Sequence, residues 1–432
     1  MSYKVAFFTL GCKVNTFETE ALWNKLKERN YERVNFSEEA DVYVINTCTV
    51  TQASDSKSRK LINQTAKRKP LNALLCIMGC YSQSKPETIA DLNGVDLIIG
   101  NENKNQIADL IPELKKQKKQ IINVTDIMQS INFDDTEAIE FSNTRAFVKI
   151  QDGCDSFCSY CIVPFVRGPG KSRDPKKTIE LIDKVTNAGY PEIVLSGIHT
   201  GSYGRDINYS LTELIKDLTK NCPKLLSLRI SSLEITEITT ELIELLKNAP
   251  LCKHLHIPLQ SGSSKILKAM NRNYSQEQFL DIVKKLKKAV PDLAISSDVM
   301  VGFPGETEAD FEETVKVIEE VGFMRLHVFP YSVRENTVAE KLPNQIPEII
   351  KKERAKKLRD LSILTGQRYA QAFIGKTLEF IPESTDGKYF QGYTTNYLRV
   401  FVSGSEIKIG EIIAITITKI TKTVIYGQIF SQ

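Results

Sequence analysis

The stretch FVKIQDGCDSFCSYC (residues 147–161) joins a predicted β-strand to three closely spaced cysteines. Cys154, Cys158 and Cys161 form a CxxxCxxC pattern, a spacing that folds three thiolates around one side of a four-iron cluster. Three ligands leave one iron open, and an open iron can chelate the amino and carboxylate groups of S-adenosylmethionine (SAM). Zinc sites more often pair two CxxC units, and the sequence has no second pair. The pattern therefore favours an iron–sulfur cluster that binds SAM.

Strand-like segments follow one another from residue 145 onward, with a helical pattern in each gap. Six strand–helix units are too few for the eight-stranded closed barrel, so they predict a curved, partly open (β/α)6 barrel over residues 144–367. Ligands of such barrels bind at the carboxyl ends of the strands, where the three cysteines fall. The segments are FVKIQ (147–151), EIVLSG (192–197), SLRIS (227–231), HLHIPL (254–259), ISSDVMVGF (295–303) and LHVFPY (326–331).

The first hundred residues also alternate apolar segments with helical patterns, which predicts βαβ units on a parallel sheet. A Lys-rich stretch at residues 115–119 and the acidic NFDDTEAIE (132–140) then indicate a boundary. We place the first domain at residues 1–128. Its predicted strands are VAFFTL (5–10), DVYVIN (41–46), ALLCIM (73–78) and DLIIG (96–100).

The tail, residues 368–432, has a different character. Segments of β-forming residues alternate with Gly and Asn turns, which predicts a small antiparallel β-barrel. Seven Lys or Arg face five Asp or Glu in this stretch, so the module is mildly basic. The whole chain is therefore predicted to be an α/β protein of three domains.

Composition excludes several classes of protein. With 432 residues, 41% hydrophobic and 25% charged, the chain can fold over its whole length. No apolar stretch approaches the roughly 18 residues of a membrane helix, and the start MSYKVAFFTLGC lacks a signal-peptide pattern, so we expect a soluble, cytoplasmic protein without a membrane partner. A net charge of +4 permits a nucleic-acid partner without requiring one. Nine cysteines in a chain that we expect to be cytoplasmic are interpreted as metal ligands, reactive thiols or core residues and not as disulfides.

Three cysteines far apart in the sequence share one placement. Cys12, Cys48 and Cys80 each follow an apolar segment at once, in FFTLGC, VINTC and IMGC. Parallel strands present their carboxyl ends at one edge of a sheet, so three thiolates can converge there on a second cluster. Three buried, unliganded cysteines remain the alternative. Cys76, Cys222 and Cys252 have no partner at ligand spacing and are predicted to be structural.

The motifs TLGCKVN, INTCTVT, MGCYSQ, QDGCDSFCSYCIVPFVRG, HIPLQSGS and VGFPGETE together resemble those of the radical-SAM methylthiotransferases, in the same order and through nearly the entire chain. The resemblance implies an N-terminal methylthiotransferase domain, a radical-SAM core and a C-terminal TRAM domain that grips RNA. It also implies two [4Fe–4S] clusters. Cys154, Cys158 and Cys161 would hold the one that cleaves SAM, and Cys12, Cys48 and Cys80 an auxiliary one that delivers sulfur.

The resemblance further implies residues that contact SAM. Tyr160, before the last cysteine, is expected to meet the adenine, although a packed core tyrosine is the alternative. Of the four histidines, His199 is the best candidate for a role beyond packing. No catalytic side chain beyond the cluster ligands is expected, because radical chemistry needs no acid–base pair. Strand ends are expected to supply the other contacts, from Ser196, Gly197, Arg229, Gln260 and Val301.

Family members differ in substrate: an isopentenylated adenosine of tRNA, N6-threonylcarbamoyladenosine at position 37 of tRNA, or an aspartate of a ribosomal protein. TLGCKVN, INTCTVT and IHTGSYG most resemble the threonylcarbamoyl branch. That group ends in a carboxylate, which Arg167 or Arg173 is expected to bind. Expected partners are the anticodon stem-loop of tRNA, an electron donor such as flavodoxin or ferredoxin, and a sulfur source. In the tail, the expected RNA-facing residues are Tyr393, Tyr397 and Arg399.

Two other classes of function stay open at this point. A non-catalytic iron–sulfur protein that binds RNA or transfers electrons would also use both triads and the tail, but it leaves the partial barrel with a three-ligand cluster unexplained. A zinc-stabilised RNA-binding module is the second alternative, which metal and sulfide analysis would separate.

Overall fold

The computed structural model describes residues 2–117, 119–404, 407–421 and 424–430 of the chain. Of the positions used to delimit the predicted domains, residues 1, 118 and 432 lie outside this part. None of the helices in the described ranges has an apolar stretch sufficient to span a membrane. The described residues form a parallel sheet with helices, a half-open barrel and a small closed barrel, in that order.

The first sheet is parallel throughout and has the strand order β2-β1-β3-β4-β5-β6. Its central strands are apolar on both faces because helices cover both. Thus Val42 and Val44 of β3 pack with one helical layer, and Tyr43 and Ile45 with the other. The elements are β1 (Tyr3–Thr9), α1 (Lys13–Glu28), β2 (Tyr31–Val34), β3 (Val42–Thr47), α2 (Gln52–Arg68), β4 (Leu74–Gly79), α3 (Cys80–Ser84), α4 (Pro86–Ala90), β5 (Leu97–Ile99), α5 (Ile107–Gln117) and β6 (Ile121–Asn123).

Two strands of this sheet were not predicted. The strands β2 and β6 lie at its two edges, are only four and three residues long, and are partly exposed. Short edge strands lack the apolar run that marks a central strand. The Lys-rich stretch at residues 115–119 is partly helical, because α5 continues to Gln117.

The second unit is the predicted six-stranded barrel. Its long strands form two parallel groups, β7-β10-β11 and β12-β13-β14. Parallel bridges between residues 228 and 251 and between 232 and 256 connect the groups. The elements are β7 (Ala146–Lys149), β8 (Gln151–Asp152), α6 (Val163–Arg167), β9 (Lys171–Ser172), α7 (Pro175–Asn187), β10 (Glu192–Ser196), α8 (Leu211–Asn221), β11 (Ser227–Ile230), α9 (Thr240–Asn248), β12 (His254–His256), α10 (Ser264–Ala269), α11 (Gln276–Ala289), β13 (Ala294–Val301), α12 (Glu308–Val321), β14 (Arg325–Pro330) and α13 (Glu348–Gln371).

Local sequence explains where the barrel helices begin. Asp174 caps α7, with Pro175 in its first turn, and accepts a hydrogen bond from the Lys177 N–H at 3.0 Å. Ser275 and Thr307 start α11 and α12 with reciprocal capping boxes. Such caps satisfy the free N–H groups of a first turn and fix the helix start. Each loop therefore leaves its strand at a defined point, which positions the side chains at the carboxyl ends.

The tail forms the predicted small barrel, closed in the order β15-β16-β17-β19-β18. One neighbouring pair, β17 and β19, is parallel, whereas the prediction was an antiparallel barrel. The helix α13 runs without a break through the predicted boundary at residue 367, and its Ala370 packs in the core of the small barrel. The strands are β15 (Thr377–Thr385), β16 (Phe390–Thr394), β17 (Arg399–Ser403), β18 (Ile413–Ile420) and β19 (Ile425–Ile429).

Candidate active site

The local cysteine triad lies in the loop between β8 and α6, at the carboxyl end of the first barrel strand. Backbone hydrogen bonds shape this loop: Cys154 N–H donates to the Gly168 carbonyl at 3.0 Å, and Cys161 N–H to the Cys158 carbonyl at 2.9 Å. All three thiols line one cavity of about 450 Å³ at the barrel mouth. The donor set is sulfur alone, which suits an iron–sulfur cluster.

Two cationic side chains contact this triad. His199 Nδ1 lies 3.7 Å from Cys154 Sγ, and its Nε2 lies 2.8 Å from Glu237 Oε1. Burial opposes protonation of His199, but the hydrogen bonds to Cys154 and Glu237 raise its pKa to about 10. Arg272 donates from Nη1 to Cys158 Sγ at 3.3 Å. Burial opposes ionisation of Cys154, but the hydrogen bond with His199 lowers the pKa of this thiol and so favours the thiolate form that binds iron.

The cavity also receives three of the residues predicted to contact SAM: Tyr160, His199 and Gln260. Gln260 has a left-handed φ of 60°, and its Oε1 is buried with no hydrogen-bond partner in the described chain. A non-glycine residue held in this conformation, with a free acceptor, points to a ligand. Gln260 therefore has the strongest structural support among the predicted contacts.

The other strand-end candidates lie beside the cavity. Ser196 and Gly197 precede Ile198, and Val301 follows Met300; Ile198 and Met300 both line it. The Ser196 hydroxyl donates to the Val148 carbonyl at 3.1 Å, so its side chain already has a partner within the barrel.

Several lining residues escaped the sequence analysis, because each stands alone in its loop without a recognisable motif. Glu234 follows β11, and Arg272 follows α10; the two form a short ion pair across the cavity wall. Asp298 lies in the middle of β13. The additional polar lining residues are Ser232, Glu234, Arg272 and Asp298.

Arg229 is a correction to the prediction. It does not line the cavity, because its side chain points to the amino ends of the strands. Nη2 and Nε pair with the two carboxylate oxygens of Glu192 at 2.7 and 2.8 Å, and Nη1 donates to the Thr395 carbonyl of the tail at 3.3 Å. The guanidinium is fully engaged within the protein.

The dispersed triad meets at the carboxyl edge of the first sheet. Cys12 precedes α1, Cys48 follows β3 and Cys80 opens α3. Burial raises the pKa of the Cys12 and Cys48 thiols, and the nearby Cys80 raises both further. Two side chains link this edge: Asn15 Oδ1 lies 3.8 Å from Cys12 Sγ and accepts a hydrogen bond from Arg167, whose Nε donates to Cys80 Sγ at 3.3 Å. Again the donors of the triad are sulfur only.

Hydrogen bonds between the turns hold this edge together. Asn15 donates to the carbonyls of Leu10 and Thr47 at 2.7 and 3.0 Å, which joins the turns after β1 and β3. Thr47 donates to the Met78 carbonyl at 2.7 Å, which joins the turns after β3 and β4. Gly79 has a φ of 101°, and a Cβ there would lie 2.5 Å from the Thr47 carbonyl oxygen. Glycine is required before Cys80.

No three His, Cys, Asp or Glu side chains, among the residues that the structure describes, are arranged to hold a single metal ion. The two triads are thus groups of three thiols at separate edges. A cubane cluster bridges wider separations than one ion does, because its irons and sulfides lie between the protein ligands. The residues present fit two such clusters.

Arg167 is the second correction. Only 1% exposed, it donates to Glu18 Oε1 at 2.6 Å, to Asp152 Oδ2 at 3.3 Å and to Cys80 Sγ at 3.3 Å. Burial opposes ionisation of Glu18, but Arg167 and two lysines lower its pKa to about 2. A guanidinium with two internal carboxylates cannot also bind that of a substrate. Arg167 instead joins the first sheet to the barrel beneath the dispersed triad.

Arg173 is the third correction. It is fully buried, and its two terminal nitrogens donate to the backbone carbonyls of Thr136 and Asp135 at 3.2 and 3.0 Å. It anchors the segment that links the first domain to the barrel. Arg173 does not line either of the two cavities beside the cysteine triads.

The three tail candidates line one cavity between α13 and the small barrel. Tyr397, with a left-handed φ of 64°, also stacks on His254 of β12 at 4.4 Å between ring centres, below Arg229. Tyr393 stacks on Tyr397 at 4.7 Å. Arg399 is exposed on β17; within the described ranges its guanidinium donates only to Gln391 Oε1, at 2.8 Å, so it remains available to a phosphate.

Comparison with known proteins places this geometry in a family. Residues 148–318 match the Radical SAM superfamily, and residues 4–100 match Uncharacterized protein family UPF0004. Among solved structures, the radical SAM methyltransferase TsrM from Kitasatospora setae superposes with a TM-score of 0.57 at 12% identity, over 79% of this chain and 77% of that one. The cobalamin-dependent SAM radical enzyme OxsB gives 0.50 at 14% identity, over 86% and 56%. At this level of identity, the two superpositions show a shared fold only.

Curated relatives are much closer in sequence. The threonylcarbamoyladenosine tRNA methylthiotransferase MtaB of Bacillus subtilis is 44% identical over 96% of this chain and 94% of its own length. The Aquifex aeolicus protein of the same name is 38% identical over 87% and 92%. A tRNA-2-methylthio-N(6)-dimethylallyladenosine synthase of Clostridium botulinum is 36% identical over 97% and 95%. The chain belongs to the radical-SAM methylthiotransferase family.

Proposed function

We propose that the protein transfers a methylthio group to carbon 2 of N6-threonylcarbamoyladenosine at position 37 of tRNA. The observation that carries this proposal is the packing of Cys80 of the dispersed triad with Ile162, the neighbour of Cys161 in the local triad, in one buried cluster, since the family reaction needs a radical site and a sulfur site close together. The 44% and 38% identical relatives are both named for the threonylcarbamoyl substrate. The relative named for the dimethylallyl substrate is more distant, at 36%.

Cys154, Cys158 and Cys161 would hold the [4Fe–4S] cluster that binds SAM. With SAM bound, that cluster supplies an organic radical able to open the C–H bond at carbon 2, which offers neither useful acidity nor a leaving group. The residues of the protein orient the reacting groups and enclose them in the cavity. Tyr160, His199 and Gln260 would contact SAM inside the cavity, with Ser196, Gly197 and Val301 at its edge.

The dispersed triad, Cys12, Cys48 and Cys80, would hold the second [4Fe–4S] cluster, from which sulfur is delivered. The buried ion group of Arg167, Glu18 and Asp152 fixes this edge against the barrel. The sulfur site thereby keeps a constant distance from the radical site. No acid–base pair is needed in this scheme.

Arg399, exposed on β17, and Tyr393 beside it are proposed to contact the anticodon stem-loop, with phosphate contacts setting affinity. Arg399 and Tyr393 line a cavity of about 430 Å³ between α13 and the small barrel. Arg359 and Arg325 line the same cavity. An electron donor such as flavodoxin or ferredoxin and a sulfur source would complete the cycle in the cytoplasm.

The test offers reconstituted enzyme two tRNAs that differ only in the modification of adenosine 37, threonylcarbamoyl or isopentenyl. Methylthio product is measured by mass spectrometry of the nucleosides. We expect product from the threonylcarbamoyl tRNA. Product mainly from the isopentenyl tRNA would overturn the substrate assignment, and no product from either, with no SAM cleavage, would favour a non-catalytic RNA-binding protein.

A further inference from the structure

A second cavity, of about 420 Å³, adjoins the cavity at the local triad and was not anticipated from the sequence. It lies between α2, α3 and α4 of the first domain and the segment of residues 333–336 that follows β14. The two cavities share Ile162, the neighbour of Cys161. On the other side the second cavity is lined by Tyr81, the neighbour of Cys80. It therefore touches the chain beside both triads.

The lining of this second cavity is mostly polar, and it carries three cations. Two of them have carboxylate partners: Arg334 Nη1 lies 2.9 Å from Asp55 Oδ2, and Lys85 forms a short ion pair with Glu335. The lining residues are Gln52, Asp55, Ser56, Arg59, Tyr81, Ser84, Lys85, Thr88, Ile162, Val333, Arg334, Glu335 and Asn336.

Arg59 differs from the other two. Within the described ranges it forms no ion pair, and its guanidinium donates only to the hydroxyls of Tyr81 and Ser56, at 3.2 and 3.4 Å. Its hydrogen bond to Tyr81 raises the pKa of Arg59, so it stays charged. Arg334 is only 6% exposed, and its terminal nitrogens donate to Asp55 Oδ2 and Thr49 Oγ1, both at 2.9 Å. Among the cations of this lining, Arg59 is therefore the exposed one without a carboxylate partner in the described ranges.

The chemistry of the nucleoside connects the two cavities. In adenine, carbon 2 and carbon 6 flank the same ring nitrogen, and carbon 6 carries the N6 atom. A group on N6 therefore leaves the base within a few bond lengths of the reacting carbon. If carbon 2 lies between the two triads, the N6 substituent must enter a space that borders both triads. The second cavity is such a space.

We infer that the second cavity receives the N6 substituent of the substrate and that Arg59 binds its carboxylate. This inference rests on the proposed function. The planar guanidinium can bind two carboxylate oxygens at once. The hydroxyl and urea groups of a threonylcarbamoyl substituent find donors and acceptors in the remaining polar lining. An apolar isopentenyl group offers Arg59 no charge-assisted hydrogen bond, so the threonylcarbamoyl substituent should bind more tightly.

The test measures affinities of stem-loop RNAs for the reconstituted protein. One RNA carries the threonylcarbamoyl group at adenosine 37, and a second carries the methyl ester of its carboxylate. The native protein should bind the acid about tenfold more tightly than the ester, because the ester loses the charge-assisted hydrogen bonds. In Arg59→Ala the ratio of the two affinities should fall to about one, and Arg59→Lys should give an intermediate ratio.

Lys60→Ala is the matched control, because Lys60 is an exposed cation next to Arg59 on α2 that does not line the cavity. Its acid-to-ester ratio should equal that of the native protein. A ratio in Arg59→Ala equal to the native one, or a native ratio of one, overturns the inference. If the native protein forms methylthio product on the threonylcarbamoyl tRNA while Arg59→Ala keeps its ratio, only the inference fails. If the native protein forms product mainly on the isopentenyl tRNA, the proposed function fails.

Discussion

The two ends of the central barrel use the same kinds of side chain for opposite purposes. At the amino ends of the strands, Arg145 and Arg229 both pair with Glu192, and Tyr397 of the tail stacks on His254. At the carboxyl ends, the local thiol triad lines a cavity, and Gln260 Oε1 lacks a partner in the described chain. At the amino end the charged side chains are paired within the protein, whereas the carboxyl end presents thiols and polar groups to a cavity.

This difference shows that the partners of an arginine indicate whether its role is structural or ligand-binding. Arg229 and Arg59 are both charged, but Arg229 has its carboxylate in Glu192. In the part of the chain that the structure describes, Arg59 has no carboxylate partner and donates to the hydroxyls of Tyr81 and Ser56. Residue type does not distinguish the role of Arg229 from that of Arg59. Their hydrogen-bond partners do, because a guanidinium that is already paired has no free donors for a ligand.

The largest effect should come from the thiols at the carboxyl ends. Replacing Cys154, Cys158 and Cys161 by Ala should remove roughly half of the iron, because in the proposed scheme each triad would hold one cluster of the same size, and should abolish formation of 5′-deoxyadenosine. Iron is measured chemically on anaerobically reconstituted protein, and 5′-deoxyadenosine by chromatography.

The matched variant replaces Cys12, Cys48 and Cys80, and it should lose methylthio product while still forming 5′-deoxyadenosine. Cys222→Ala is the control, because Cys222 is buried beside the Ile179 carbonyl, far from either triad in the fold. It should retain the full iron content. Normal methylthio transfer by the Cys12, Cys48 and Cys80 variant would show that these cysteines are only buried.

A smaller effect, on stability and not on chemistry, is expected at the amino ends. Arg229→Met leaves the buried carboxylate of Glu192 without its main partner, which should lower the free energy of unfolding by about 3–5 kcal/mol. Denaturant unfolding followed by circular dichroism measures this change. Adding Glu192→Gln to Arg229→Met should recover part of the loss, because the second change removes the unpaired charge.

Lys184→Ala is the control for that series, since Lys184 forms an exposed ion pair with Glu137 on the outside of the barrel. Exposed pairs contribute little, so its unfolding midpoint should hardly move. Equal destabilisation by Arg229→Met and Lys184→Ala would mean that the amino end is not a locked structural unit.

The smallest effect is expected on the outer surface of the tail. Arg399→Ala should weaken tRNA binding at low salt and lower the slope of log affinity against log salt concentration by about 1, because one phosphate contact is lost. Binding isotherms at several salt concentrations give the slope. Lys408→Ala, an exposed cation paired with Glu411, serves as the comparison. An identical slope for Arg399→Ala and the native protein would remove Arg399 from the RNA contact.

Most of the architecture could be predicted from the sequence because the patterns that encode it are local. Apolar segments alternating with helices predicted the six barrel strands, and a closed small barrel follows them as expected. The edge strands β2 and β6 were missed, since a short, half-exposed strand has no apolar run. The parallel pair β17 and β19 was missed as well, because the order in which strands close a barrel is a long-range property.

By itself, the sequence determined which cysteines can act together. Cys154, Cys158 and Cys161 are neighbours along the chain, and the strand pattern placed Cys12, Cys48 and Cys80 at one sheet edge. Only the tertiary structure decided what the arginines do. Arg167 meets Glu18, which is 149 residues away in the chain, and Arg229 meets a loop of the tail. Spacing encodes contacts within a turn or along a strand, whereas the partner of a long side chain depends on how separate domains pack together.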